Sequence, residues 1–464
     1  MKKSILFLFL TISYSFFSQE NKTELLSYKF TVDSLYSTHI QDYRTVKIFL
    51  PNEYSKDVKY PVIYTLDAQW MFEPTVAESK ILMDFDVIPK SIIVGIFHKN
   101  RNDDLGIDWT TGAFNQNSLK FYNFLTQELL PKINSTYSTS GFNTLVGHSD
   151  SATFCENVIT QEEHYFNGFV ALSQNLFGKQ LQEYIKLTNQ SQSKPIFYFV
   201  ASGKRDATSR LESGLKLDSL FKINKNSNIK SKHILYDADH DGIVAKGLNN
   251  GISHIFSEYK HYNDWDEKRI DSLLAKNISS LDFINQHYER MKEIYGVDFK
   301  VNYNDISLMQ VIARNDTDIE SVMNYEIEHI GKSNDFYSGY AQEFEFLKSY
   351  EKALEYWEIN LKENNKKIKN FFYYRRPIEL ISIKMGQPKR AIEFAEKWKA
   401  KAPRFSSNFN LQIAKIALEN NIKTKTGLEC IREYIENYKE GLSTDLETAK
   451  EIEQKLEEHR NSKN

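Results

Sequence analysis

The sequence predicts an α/β sandwich built on a mainly parallel sheet, followed by an all-α region, and three observations carry that prediction. Tyr60–Leu66, Ser91–Ile96, Gly168–Leu172 and Pro195–Val200 are continuous apolar runs of strand length. Runs of this kind belong to strands buried on both faces. Segments able to form helices separate them, so strand and helix alternate. Beyond about Asp264 the strand signals stop, and Ile270, Leu273, Leu274, Ile278, Leu281 and Ile284 recur at helical spacing. At 464 residues the chain is too long for one ordinary core, so more than one domain is expected.

In chain order, the start reads Met1-Lys-Lys followed by a short apolar run to Ser18 and polar Gln19-Glu20. This is the pattern of a secretory signal over residues 1–18, with a retained anchor as the alternative, and the run is short for a membrane span. The chain is therefore expected to be exported, to a periplasm or beyond the cell, with no stable membrane span. No cysteine ends the run, so no lipid anchor is indicated there. Strands are expected at 26–36 and 42–50, the second closed by Pro51. A crossover helix is expected at 75–84, an amphipathic helix at 119–137 broken near Pro131, a strand at 232–236 and a closing helix at 244–260. These place a sandwich domain over 24–262 and a helical domain over 265–464. Within the latter, Tyr337, Ala341, Phe344, Ala353 and Trp357 sit where tetratricopeptide repeats place packing residues. A second copy follows from Ala391, with Gly386 at its turn and Pro403 after it. A plain helical bundle is the alternative. The net charge is −3 and no basic stripe is present, which excludes a nucleic-acid role. The two cysteines, Cys155 and Cys430, fall in different domains and read as small buried apolar residues rather than a disulfide.

The chemistry centres on Gly147-His148-Ser149-Asp150-Ser151. An apolar strand ends in a tight turn and a helix follows, the order of a nucleophile elbow that lifts the Ser149 hydroxyl clear of the backbone. The helix N-terminus beneath it supplies amide donors and a positive dipole end. The usual fifth-position glycine is Ser151 here, a small side chain that fits with some strain. A serine of this kind needs a base and an acid to orient that base. His240 follows a core strand and precedes a helix, where a loop can carry it over Ser149. Asp206 stands just past another strand end, and Asp237 and Asp239 are the alternatives for the acid. The oxyanion donors expected are the backbone amides of Asp150 and Gln69. A carboxylate at Asp150 suits the helix dipole, but turned inward it would oppose the charge developing on a substrate. Trp70, Phe72, Arg101 and Trp109 are candidate pocket residues. Asp237-Ala-Asp-His-Asp-Gly242 copies half of a calcium loop, but Leu248 occupies the twelfth position where a glutamate is needed. No zinc spacing occurs, so no metal and no cofactor is expected.

Several ordered blocks are similar to one esterase family: Arg44-Thr-Val-Lys-Ile-Phe-Leu-Pro51, Tyr60-Pro-Val-Ile-Tyr-Thr-Leu-Asp67, Val94-Gly-Ile96 with Asn100-Arg101 and Asp104-Leu105, Phe124 to Pro131, Gly147-His-Ser149, and Phe166-Asn-Gly168 with Ala171-Leu-Ser173. The family includes enterochelin (siderophore) esterases, S-formylglutathione hydrolase, feruloyl and xylan acetyl esterases, and mycolyltransferases. The resemblance covers roughly residues 28–258. It implies an α/β-hydrolase fold, a small-molecule ester substrate, and Ser149, Asp206 and His240 as a triad. Some members carry tetratricopeptide-like repeats after the esterase domain, which implies a protein partner for residues 265–464. This chain departs from the family pattern at Asp150, Ser151 and Ala152, at Gln174 and Asn175 after Ser173, and at Ala68. Two further readings follow from the departures and from the family's breadth. One is an inactive esterase-like domain serving as a scaffold through its helices; the other is acyl transfer to a sugar or lipid.

Overall fold

A computed structural model of the protein describes residues 28–462 except 162, 164, 191–193, 224–227, 263–266, 277 and 440–443. The expected signal at 1–18 lies outside the described residues. The chain divides into two compact units, Met1–Phe256 and Ser257–Asn464.

The first unit is organised by a sheet of eight strands: β1 (Phe30–Ser37), β2 (Asp42–Phe49), β3 (Tyr60–Thr65), β4 (Ile92–Ile96), β5 (Thr139–His148), β6 (Gly168–Leu172), β7 (Ile196–Gly203) and β8 (Ile229–Tyr236). Their spatial order is β1-β2-β4-β3-β5-β6-β7-β8. β1, β2 and β4 pair antiparallel in turn, and β4-β3-β5-β6-β7-β8 are parallel. Every residue of β3, β4, β6 and β7 is buried, as their unbroken apolar sequences require. The edge strand β1 is mostly exposed. Strand order reverses between β3 and β5, so the carboxyl ends of these two strands flank a crevice, the place where open α/β sheets bind ligands.

The connecting helices are α1 (Ala68–Asp84), α2 (Arg101–Asp104), α3 (Gln116–Asn123), α4 (Leu130–Thr136), α5 (Asp150–Ile159), α6 (Gln180–Asn189) and α7 (Thr208–Ile223), and α8 (Gly242–Ile255) follows the last strand. Successive strand residues face opposite layers. Phe199 and Val170 meet α8 at Gly251, where a Cβ would lie 2.5 Å from Val170. Tyr198 and Val200, pointing the other way, join Phe121, Phe124 and Phe154 in a second apolar layer. Two helices differ from expectation. α1 begins at Ala68 rather than 75, and Pro74 sits inside it. The bond that proline cannot make would have gone to the Trp70 carbonyl, on an exposed residue. The helix expected to break near Pro131 instead runs on through a π-helical segment, Phe124–Leu129, between α3 and α4. Pro131, which has no amide to donate, stands in the first turn of the helix that follows. The closing helix α8 ends at Ile255, short of the expected 260.

The second unit is mostly helical. Phe336–Phe346, Tyr350–Asn364, Pro388–Lys401 and Ser406–Glu419 are among its helices. Ala341, Phe344, Ala353, Trp357, Ala391 and Trp398 are buried in one apolar cluster. Gly386 turns the chain between two helices at φ 65°, a conformation that favours glycine. Cys155 and Cys430 are both free and buried. No helix of the described residues is long and apolar enough to cross a membrane.

The elbow helix α5 carries a fully buried carboxyl group. Glu156 accepts hydrogen bonds from the Tyr184 hydroxyl and from the Tyr198 hydroxyl, the latter at 2.6 and 2.8 Å. Burial pushes it up from 4.5 to about 7, and the two tyrosine hydroxyls offset only part of that rise. Between these values the folded protein keeps a proton that the unfolded chain has released, so stability falls as pH rises through the window. Glu156→Gln is expected to flatten this decline by on the order of 3 kcal/mol. Urea unfolding of both proteins from about pH 4.5 to 7 measures it; parallel curves would contradict the assignment.

Candidate active site

Strand β5 delivers His148 and Ser149 to the sheet's rim. Ser149 has φ 64° and ψ −123°, a backbone conformation that costs a non-glycine residue free energy. Two neighbours hold it there. Gly147 allows helix α5 to approach, since a Cβ at that position would lie 2.4 Å from the Ser151 carbonyl oxygen. The Ser151 hydroxyl accepts from the His148 amide and donates to the His148 carbonyl, each at 2.8 Å. Ser151 is fully buried. The serine that replaces the family's glycine thus ties the turn together instead of straining it.

His240, on the loop between β8 and α8, reaches back over this turn. Its Nε2 lies 2.9 Å from Ser149 Oγ and its Nδ1 lies 3.0 Å from Asp206 Oδ1. Asp206 follows β7, and Asp237 and Asp239 make no hydrogen bond to the imidazole. Ser173, at the end of β6 with φ 59°, donates its hydroxyl to Asp206 Oδ2 and sits 3.0 Å from His240 Nδ1. Because that hydroxyl spends its proton on Asp206, it can only accept from the ring. The imidazole proton therefore resides on Nδ1, leaving the Nε2 lone pair toward Ser149. Burial raises the Asp206 carboxyl, but bonds from Ser173, the Ala207 amide and His240 outweigh it and hold the group below its ordinary value. His148 Nε2 donates to the His240 carbonyl at 2.9 Å, which ties the loop carrying His240 to the elbow. Burial holds the His148 ring below its ordinary value, so it stays neutral beside His240.

Asp150, the first residue of α5, points its carboxylate away from the elbow amides and into two guanidinium groups. Oδ2 lies 3.0 Å from Arg101 Nη1 and Oδ1 lies 2.9 Å from Arg210 Nη2. Burial raises this carboxyl, yet Arg210 and Arg101 together lower it overall. Arg101 also grips the buried Asp67 in a two-pronged bond of 2.7 and 3.1 Å, so its charge is already matched inside the protein. The Asp150 and Gln69 amides have no protein acceptor among the described residues. The Gln69 side chain donates instead to the His98 carbonyl at 2.8 Å.

Of the four expected pocket residues, Arg101 and Trp109 line a cavity of about 310 Å³ with Leu105, Asp150, Thr153 and Phe177. Trp109 stands edge-on to Phe177 at 4.7 Å. Trp70 is exposed and lies over the Arg101 guanidinium, 5.6 Å from its ring centroid. Phe72 is a correction: it is fully buried against Phe30 and the glycine at 95, so it packs α1 on the sheet and lines no part of that cavity. Arg210 and Ser173 are the residues that sequence reasoning missed. A larger concavity, about 610 Å³ beside Thr111, Asn157 and Lys179, holds no nucleophile–base pair. Ligand atoms of His148, His240 and Asp241 lie within 4.8 Å of one another. Two of those groups are spent on the bonds above, which leaves little for a metal ion.

If Ser151 stabilises the turn through its two bonds, restoring the family's residue should weaken the fold. Ser151→Gly is expected to cost about 1–2 kcal/mol, because the His148 amide loses its buried acceptor. Chemical denaturation measures this, and an unchanged or raised midpoint would refute it.

Residues 37–205 match the family described as "Putative esterase". No curated protein matches the chain. Among solved structures, an uncharacterised protein from Capnocytophaga ochracea is similar at 15% identity, with 76% of this chain and 100% of that chain covered and a TM-score of 0.61. An IroE-like serine hydrolase from Shewanella oneidensis shares 21% identity over 65% of this chain and 94% of its own, with a TM-score of 0.49. The enterobactin esterase FES from Shigella flexneri shares 17% over 50% and 60%, with a TM-score of 0.40. At these identities the first likeness speaks for the fold alone. The chain is thus similar to an esterase family over residues 37–205, and that similarity supports ester hydrolysis as the chemistry of this region.

Proposed function

We propose that the protein is an exported serine esterase acting on a small carboxylic ester of the siderophore-esterase kind. One observation carries the reading: a single imidazole is held between Ser149 Oγ at 2.9 Å and Asp206 Oδ1 at 3.0 Å. In this scheme Ser149 attacks the ester carbonyl while His240 Nε2 takes the hydroxyl proton. Asp206 orients the ring and stabilises the imidazolium. The amides of Asp150 and Gln69 receive the developing oxyanion. His240 then gives its proton to the departing alcohol. Water, activated by the same ring, releases the acid and regenerates Ser149. The cavity beside Asp150 receives one arm of the substrate, with the Trp109 and Phe177 rings as its apolar wall.

The Asp150 carboxylate favours a competent site over a decayed scaffold, because Arg101 and Arg210 match its charge. Export rests on the leader-like first 18 residues, and the helical unit is proposed as the surface for a protein partner. Ser149→Ala is expected to keep the thermal midpoint of the parent and to lose at least about 10³-fold in aryl-ester hydrolysis. A fluorophosphonate probe should label the parent at Ser149 only. Equal hydrolysis by parent and variant would overturn the reading, and added sugar or lipid acceptors separate hydrolysis from acyl transfer by product.

A further inference from the structure

We infer that Arg101 is the positioning residue of the oxyanion site, a tie that sets the spacing between the two loops carrying the Gln69 and Asp150 amides. The inference rests on the serine-esterase reading above. Asp67 is the residue immediately before α1, with its backbone at φ 55° and its side chain wholly enclosed. Gln69 is the second residue of that helix. Asp150 opens α5. The two helix starts follow adjacent paired strands, β3 and β5; their ladder ends at the Leu66 amide on the Val146 carbonyl, 3.0 Å, and among the described residues no backbone bond joins the two turns beyond it.

Arg101 closes that gap with all three of its nitrogens. Nε and Nη2 hold Asp67 at 2.7 and 3.1 Å. Nη1 holds Asp150 at 3.0 Å, and Nη2 also donates to the His148 carbonyl at 3.3 Å. A planar guanidinium fixes the directions of all these bonds at once, which an ammonium cannot do. Arg210 extends the tie. It bonds Asp150 at 2.9 Å and the Ser173 carbonyl at 2.6 Å, and Ser173 is the residue that touches both Asp206 and His240. The acid directly after the nucleophile therefore has a purpose: it is the knot where the oxyanion side and the base side of the site are joined. The hydrogen-bonding nitrogens of Arg101 are turned to protein carboxylates.

Arg101→Lys separates positioning from charge, because lysine keeps the cation beside Asp67 and Asp150 but loses the planar fork. The expected result with a neutral aryl ester is a fall in kcat of about 30- to 100-fold with KM within about threefold, since displaced donors affect the transition state more than the bound ester. The fluorophosphonate labelling rate should fall with kcat, because phosphonylation uses the same amides. Asp150→Asn, which leaves the Asp67 bonds in place, should lose less than about tenfold. A crystal structure of the lysine variant should show the Gln69 and Asp150 amides moved apart or rotated. Parent-like kcat in that variant would reduce Arg101 to charge screening and overturn the inference. So would amides at their parental spacing, whatever the rate. Failure of the esterase reading itself shows elsewhere, as hydrolysis indifferent to Ser149→Ala.

Discussion

Much of the site hangs on one strained backbone position. Ser149 occupies a conformation that non-glycine residues avoid, at the carboxyl end of a central strand of the sheet. Such a conformation persists only where its surroundings over-determine it. Here the glycine at 147 lets α5 press close, Ser151 bonds both polar groups of His148, and the Ser149 amide is fixed to the Leu172 carbonyl at 2.9 Å. The same pattern repeats at the neighbouring strand ends, where Asp67 and Ser173 also have positive φ. Three adjacent strands thus end in kinks that aim backbone and side-chain groups at one crevice.

Charge at that crevice is balanced rather than accumulated. Asp67 and Asp150 face Arg101 and Arg210, and each carboxylate oxygen has a directed partner. A site that develops negative charge during reaction gains from amides whose surroundings are neutral overall and held in place. An uncompensated carboxylate one residue beyond Ser149 would instead oppose negative charge developing there, through repulsion at short range. The departure from the family pattern at 150 therefore comes as a set with Arg210, and neither residue is interpretable without the other.

The sheet and the site were legible in the sequence to different depths. Uninterrupted apolar runs mark buried parallel strands well, and the order of Ser149, Asp206 and His240 relative to those runs places each at a strand's carboxyl end. Arg210 leaves no such trace, because in sequence it is one more cation on a helix whose buried residues are few. Its meaning appears only when α7 is packed beside the elbow. Ser173 stands out in the sequence only as the residue preceding a departure from the family pattern. Phe72 is misplaced for a definite reason: starting the helix after Pro74 leaves it in a loop. With α1 running from Ala68, Phe72 falls in line with Ala68 and Val76 on the buried face.

The elbow helix also carries one of only two cysteines in the chain, and both are enclosed. Burial raises the Cys155 thiol well above its ordinary value and pushes Cys430 up to about 11, so neither offers a thiolate at neutral pH. The folded protein accordingly has no accessible sulfur nucleophile. Thiol-directed alkylating agents therefore find no exposed cysteine beside Ser149 in the folded protein.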